Sequence, residues 1–167
     1  MDDVLTLKMQ SDFEEIYDVY YDRIYRYAYT LLLNKEDAED VTEDTFLSAY
    51  RNFASFNAEK GSLGTWLSRI AHNCAVNLVR SAAYSKKAEI PDSWDVEEEG
   101  DFTKELDYSD EIIRLYAKLS PEEREFLNLR YAMDLKDSEV AALMGLNEKA
   151  VNKRYQRLLT KCRTLID

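Results

Sequence analysis

This chain of 167 residues has few residues of four types: two cysteines, two prolines, four glycines and one histidine. Two cysteines are too few for the disulfide framework of a small secreted domain, and so little glycine and proline excludes collagen-like and linker-like sequences. A single histidine, with no cluster of Cys and His, removes the usual ligand sets of zinc sites. The composition, 46% apolar and 33% charged, predicts a folded, predominantly helical protein.

Long apolar runs are also missing. The longest candidate, residues 24–33, contains Arg26 and is much shorter than the roughly 20 residues that a membrane span needs. The opening sequence MDDVLTLKMQ begins with acids and lacks the apolar core of a signal peptide. We therefore expect no direct membrane insertion and a cytoplasmic location.

Positive charge is in the minority, with 22 Lys and Arg against 33 Asp and Glu, but it is concentrated in two places. Residues 54–87 have five cations and one acid, and residues 149–167 have six cations and one acid. Between them, residues 88–112 have eleven acids and one lysine. This segregation predicts two anion-binding faces in a chain that otherwise repels anions.

Apolar residues in the first part of the chain follow helical spacing and predict three helices. Ser11 and Glu14 form a possible capping box for the first, and Asn34 is a suitable N-cap for the second. Residues 54–61 are predicted to be a loop, and a third helix follows from about Ser62 to beyond Arg80. Together these elements predict a compact three-helix lobe.

The second part of the chain predicts further helices and no strand. Periodicity fades between residues 81 and 108, which we interpret as an acidic linker. Ser109 and Ser120 are N-cap candidates, and Gly145 separates a short helix from a basic one that Asn147 caps, which is the helix-turn-helix pattern. The predicted fold class is all-α, with two small helical domains, residues 1–80 and 109–167, joined by the linker 81–108.

The last helix is the strongest candidate for DNA binding. Val151, Tyr155, Leu158 and Cys162 are spaced as a buried seam, so the cations and amides on the other faces can contact phosphates and base edges. The alternative is an ordinary solvated amphipathic helix. The candidate DNA contacts are Asn147, Lys149, Asn152, Lys153, Arg154, Gln156 and Arg157.

The third helix and the loop before it form a second candidate surface for nucleic acid. Aromatic residues of this segment could stack on an unpaired base, or could close the core of the lobe, which the helical phase favours for Trp66. His72 is interpreted as one polar residue on the basic face. The candidate contacts are Phe56, Asn57, Arg69, Asn73, Asn77 and Arg80.

Acids crowd the second helix, where Asp40 has i+3 and i+4 spacing to Glu43 and Asp44. Such a row could bind the metal of a helical phosphohydrolase, but it is more often a solvated face or a docking surface for a basic partner. No nucleophile, base and acid can be assembled around the single histidine. We therefore expect no enzymatic activity, no cofactor and no metal.

These motifs resemble those of a known family. The run NKEDAEDVTEDTFLSAYRNFASFNAEKGSLGTWLSRIAHNCAVNLVR is similar to region 2 of the extracytoplasmic-function (ECF) class of bacterial sigma factors, in the sigma-70 family. The run YAKLSPEEREFLNLRYAMDLKDSEVAALMGLNEKAVNKRYQRLLTKCRTL is similar to their region 4. The resemblance covers roughly residues 13–80 and 109–165, in the order of the family.

The resemblance implies a transcription-initiation subunit that binds core RNA polymerase through its beta-prime and beta subunits, recognises promoters and assists their opening. It implies that the third helix and its loop handle the minus-ten element and that the last helix reads the minus-thirty-five element. It also implies an anti-sigma factor as a partner and no small-molecule substrate. The implied polymerase-docking residues are Asp37, Asp40, Glu43 and Asp44.

Two alternatives stay open at this point. One is a sigma-like DNA-binding regulator without productive initiation. The other concerns the acidic linker, which could mimic nucleic acid in a basic channel of the polymerase or could simply be a solubilising tether.

Overall fold

The computed structural model describes residues 2–81 and 110–166, with side chains from residue 12 onward, and it confirms the all-α prediction. The first range forms α1 (Asp2–Leu32), α2 (Lys35–Arg51), a 3-10 helix (Phe53–Ser55) and α3 (Leu63–Arg80). The second forms α4 (Asp110–Ala117), α5 (Pro121–Tyr131), α6 (Asp137–Met144) and α7 (Glu148–Ile166). The predicted linker, apart from its first residue, lies outside the described residues, as does the proposed cap Ser109.

Side-chain caps fix most of the helix starts where the sequence predicts them. Asn34 Oδ1 accepts a hydrogen bond from the Asp37 backbone at 3.0 Å, and Ser62 Oγ accepts one from the Thr65 backbone at 3.2 Å. Ser120, a predicted N-cap, forms a complete capping box with Glu123 at the start of α5. The capping box predicted at Ser11 is wrong, because α1 begins at Asp2 and residue 11 lies inside it.

The amino-terminal lobe packs α1 against α2 and α3. Ile24, Tyr27 and Ala28 of α1 are fully buried, as are Leu67 and Ala71 of α3. Burying side chains of this size is the main source of stability for such a helical lobe. This core fixes the phase of each helix and therefore decides which residues of α2 and α3 face outward.

The carboxyl-terminal lobe packs α7 against α5 and α6. The rings of Phe126 and Tyr155 lie 4.5 Å apart, and the Tyr155 hydroxyl donates a hydrogen bond of 2.6 Å to the Phe126 carbonyl. Gly145 ends α6 with φ of 69°, in the left-handed region where glycine has no Cβ penalty. This turn sets the angle between the two helices of the helix-turn-helix.

The two lobes contact each other directly, mainly through α1 and α5. The buried apolar residues of both lobes form one contiguous cluster in which α4 also takes part through the fully buried Ile113. The arrangement of the lobes, which the sequence leaves open, is therefore closed in this structure.

Candidate nucleic-acid and partner interfaces

The core phase of α7 leaves a broad polar face in solvent. Val151, Tyr155, Leu158 and Cys162 are buried, as the sequence predicts. On the opposite side of the helix, four exposed side chains form one stripe that carries three cations and an amide. They are Lys149, Lys153, Gln156 and Arg157.

One flank of α7 faces the start of α5 and is neutralised by two acids. Arg154 Nη1 lies 2.9 Å from Glu122 Oε1, and the guanidinium lies 5.6 Å from the centre of the Phe126 ring. Lys161 Nζ donates to Glu123, 2.7 Å and 2.9 Å from its two carboxylate oxygens. The hydrogen bond from Lys161 holds the pKa of Glu123 below its ordinary value. The structure thus places Arg154 beside α5 and not on the outer stripe.

Two asparagines of the predicted set lie at other positions. Asn147 is the N-cap of α7, because its Oδ1 accepts a hydrogen bond of 2.8 Å from the Ala150 backbone. Asn152 is exposed, on the flank opposite Arg154. The acids that pair with α7 were missed from the sequence, since Glu122 is 32 residues from its partner.

The predicted residues of α3 do form a single surface. Arg69, Asn73, Asn77 and Arg80 are all exposed, and their spacing of four, four and three residues aligns them along one side of the helix. The two arginines stand at the ends of this stripe, and the two asparagines lie between them. It can therefore contact phosphates and base edges over residues 69–80 of α3.

A small cavity of about 150 Å³ lies beside the first turns of α3. Its walls include the half-buried rings of Phe56 and Trp66, whose centroids are 5.2 Å apart, and the exposed side chains of Asn57 and Arg69. Trp66 also contacts Phe53 of the 3-10 helix. These aromatic residues therefore pack on each other and line an open cavity, and their stacking on an unpaired base stays a prediction.

His72 is not part of the exposed basic face. Its side chain is only 15% exposed and donates from Nδ1 to Glu125 Oε1 of α5. The packing of the lobes places α5 against it, which sequence spacing did not indicate because the partner lies 53 residues away.

The acidic face of α2 is exposed and continues into an apolar end. Asp40, Glu43 and Asp44 are exposed, while Asp37 is half-buried in the first turn. The same face continues to Leu47 and Tyr50, which are 48% and 45% exposed. Neither residue was predicted to lie at the surface, although the position of Leu47, four residues after Glu43 and three after Asp44, could have revealed it.

Within residues 2–81 and 110–166, no three His, Cys, Asp or Glu side chains lie close enough together to hold a metal ion. In the same part of the chain, no helix combines the length and the apolar character that crossing a membrane requires.

Comparison with known proteins identifies the family. The sigma-70 region 2 family model matches residues 16–84, and the sigma-70 region 4 family model matches residues 109–162. The chain belongs to the ECF class of the sigma-70 family.

Curated relatives are similar over nearly all of this chain. It is 32% identical to the ECF RNA polymerase sigma factor BldN of Streptomyces coelicolor over 160 residues, which are 93% of this chain and 61% of that protein. It is 29% identical to the ECF sigma factor SigW of Bacillus subtilis, with 89% of this chain and 85% of that protein covered.

Two solved structures of the same fold are complexes with a second protein. CnrH, in complex with the cytosolic domain of CnrY, matches with a TM-score of 0.68 at 24% identity, over 95% of this chain and 89% of CnrH. RpoE of Bartonella quintana, in complex with the anti-sigma factor NepR, matches with a TM-score of 0.65 at 20% identity, over 93% and 96% of the two chains. These likenesses show the fold.

Proposed function

We propose that this chain is a sigma factor that binds core RNA polymerase, directs it to specific promoters and assists their opening, without catalysing a reaction itself. The observation that carries the proposal is the recurrence of exposed cations and amides on two separate helices, α3 and α7, one of them beside an aromatic-lined cavity. A protein that reads two separate promoter elements needs two such surfaces.

Recognition of the minus-thirty-five element is assigned to α7. The second helix of a helix-turn-helix enters the major groove, where amides and cations read base edges and phosphates. The outer stripe supports this role for Lys149, Lys153, Gln156 and Arg157. Asn152 extends the contact on one flank, Asn147 fixes the start of the helix, and Arg154 has a secondary role.

Recognition of the minus-ten element is assigned to α3 and the loop before it. Arg69 and Arg80 hold the backbone of the strand, while Asn73 and Asn77 reach bases. Flipping a base out of the stack costs a few kcal/mol, which stacking and hydrogen bonds in a pocket can offset. The cavity lined by Phe56, Asn57 and Trp66 supplies both kinds of contact.

Polymerase docking is assigned to the outer face of α2. The carboxylates of Asp40, Glu43 and Asp44, with Asp37 at the edge, suit a basic surface and would speed and orient association. Leu47 and Tyr50 add apolar area, which is what a stable interface needs at its centre. The partner surfaces are the beta-prime subunit for α2 and the beta subunit for the carboxyl-terminal lobe.

The remaining parts of the proposal follow from the family. The functional units are residues 1–80 for docking and minus-ten recognition, residues 81–108 as linker and residues 109–167 for minus-thirty-five recognition. The protein works in the cytoplasm, requires no cofactor, and is held inactive by an anti-sigma factor, as RpoE is seen with NepR.

Run-off transcription tests the proposal. Purified core polymerase is supplied with genomic fragments, including the region upstream of this gene, with and without the protein. We expect new discrete start sites that disappear with the charge reversals Asp40→Lys and Glu43→Lys. The matched control is Glu15→Lys, the same charge change at an exposed position of α1. Core binding without any start site would favour the sigma-like regulator, and absence of core binding would refute the proposal.

A further inference from the structure

Asn57 lies in the wall of the cavity beside the first turns of α3, and its side-chain amide is held in one orientation. The Oδ1 atom of Asn57 accepts a hydrogen bond of 2.9 Å from the Glu59 backbone. A backbone N–H can only donate, so this contact fixes which end of the amide is the oxygen. The NH2 group of Asn57 makes no hydrogen bond within the described residues. Asn57 therefore offers a ligand free donors.

The hydroxyl protons of the cavity wall are already used inside the protein. Ser55 Oγ donates to the Asn52 carbonyl at 2.6 Å. Thr65 Oγ1 donates to Glu139 Oε1 at 3.0 Å, so Ser62 must be the donor in the 2.9 Å contact between the hydroxyls of Ser62 and Thr65. Ser62 Oγ also accepts a hydrogen bond from the Thr65 backbone. The three hydroxyls therefore add no donor for a ligand, and two of them already accept a hydrogen bond.

Two cations complete the wall of this cavity. Lys60 and Arg69 both line it, and both side chains are exposed. Neither side chain has an ion-pair or hydrogen-bond partner in the part of the chain whose side chains the structure describes. Ammonium and guanidinium groups donate hydrogen bonds and accept none. The described side chains of the wall thus offer a ligand the polar hydrogens of Asn57, Lys60 and Arg69, under a positive local potential.

The four DNA bases differ in what they can offer to such a wall. On the edge that faces the major groove of a duplex, guanine presents the acceptors O6 and N7, and thymine presents the acceptor O4. Cytosine and adenine present an amino group, which is a donor, on the same edge. An amino group that faces the Asn57 amide and two cations loses water without gaining an acceptor, which costs free energy. The wall therefore favours a base with a keto group on this edge.

We propose that Asn57 is a specificity-determining residue of the minus-ten surface, and that the base held in the cavity is a keto base, thymine or guanine. This inference rests on the proposed function and deepens it, because the cavity is the one assigned to an unpaired base of the minus-ten element. Stacking on Phe56 and Trp66 accepts any base, since every base has a π-face. Asn57, flanked by Lys60 and Arg69, then selects among the bases by the edge that each one presents.

Asn57→Asp tests the sign of this selection. Aspartate keeps an oxygen for the Glu59 backbone and replaces the NH2 group with a second acceptor, so the turn is preserved while the donor becomes an acceptor. The added negative charge weakens the binding of every DNA strand alike, so the measured quantity is the ratio of affinities for keto and amino bases within one protein. The matched control is Asn52→Asp, the same change at an exposed asparagine that does not line the cavity.

The assay uses holoenzyme made from the full chain and core polymerase. Its probes are short single-stranded DNAs with the non-template sequence of a minus-ten element found by run-off transcription. An abasic site is placed at each position in turn, and the loss of affinity is compared between the wild type and Phe56→Leu, which keeps apolar bulk but loses the stacking ring. The position whose loss is smaller in Phe56→Leu is the one in the cavity. Thymine, guanine, cytosine and adenine are then compared at that position.

We expect the wild type to bind thymine or guanine about tenfold more tightly than cytosine or adenine, a factor that one hydrogen bond can supply. The ratio should invert in Asn57→Asp, fall toward one in Asn57→Ala and stay unchanged in Asn52→Asp. A wild-type preference for cytosine or adenine, or a ratio that Asn57→Asp does not change, would overturn the inference and leave the minus-ten role of the cavity intact. If no position responds to Phe56→Leu, the assignment of this cavity to the minus-ten element fails instead.

Discussion

For two arginines of α7, the sequence and the structure predict different effects of substitution on promoter binding. Arg154 and Arg157 are both exposed cations of the same helix, three residues apart, and the sequence predicts a DNA contact for each. In the structure Arg154 is held by Glu122 and lies over the Phe126 ring, whereas Arg157 belongs to the outer stripe. We expect Arg157→Ala to weaken promoter binding in a salt-dependent way and Arg154→Ala to leave the salt dependence unchanged.

The magnitude follows from counterion release. Each phosphate contact contributes about 0.9 to the slope of log affinity against log salt concentration. Between 50 and 200 mM salt, a fourfold range, one contact is therefore worth about 3.5-fold in affinity, or about 0.7 kcal/mol. The deficit of Arg157→Ala should be about 3.5-fold larger at the low end of that range than at the high end.

The assay is the equilibrium affinity of holoenzyme for a promoter fragment identified by run-off transcription, measured at four salt concentrations. Both variants lose one positive charge from α7, so each is the control of the other, and a change in overall charge cannot explain a difference between them. Equal slopes for Arg154→Ala and Arg157→Ala would refute the assignment of the outer stripe. A loss of promoter affinity confined to Arg154→Ala would also refute this assignment, because Arg154 would then leave Glu122 to contact DNA.

Two further predictions concern stability. Gly145→Ala should lower the free energy of unfolding by about 1 kcal/mol, because φ of 69° penalises a Cβ, while Gly61→Ala, with no positive φ and nothing within 4 Å, should raise it by up to about 1 kcal/mol. Urea titrations of both variants decide this, and a destabilised Gly61→Ala or a neutral Gly145→Ala would contradict it. The hydrogen bond from Lys161 lowers the pKa of Glu123 in the folded state, so the contribution of this carboxylate to stability is complete above its ordinary pKa of 4.5 and is lost as the pH falls from there through the lowered value. The wild type should therefore exceed Glu123→Gln by about 0.5 kcal/mol at pH 7, and this difference should shrink as the pH falls below 4.5. A difference independent of pH would exclude this origin.

The helix ends show what local sequence can predict. Asn34, Ser120 and Asn147 accept hydrogen bonds from backbone groups only three residues away, so the necessary partners are always within reach. The failure at Ser11 has the same origin, because a residue able to cap is not required to do so when helical residues precede it. The exposure of the α3 stripe was equally predictable, since it follows from the phase of the buried residues on the same helix.

The partners of charged side chains were not predictable in this way. His72 has a helical phase compatible with a basic face, and only the packing of α5 against α1 and α3 brings Glu125 to it. Tyr50 matches the apolar periodicity of α2, and only the position of α1 decides that it remains 45% exposed. In each case the deciding neighbour is distant in sequence.

The sequence by itself determined the helical class, the positions of most helix ends and the segregation of charge onto α2, α3 and α7, because caps, periodicity and charge blocks act over a few residues. Only the tertiary structure decided that Arg154 pairs with Glu122 and that Tyr27 and His72 bury Glu125 between the lobes. Contacts of this kind depend on how helices cross, which is set by the shapes of whole packed faces and not by the spacing of residues along any one helix.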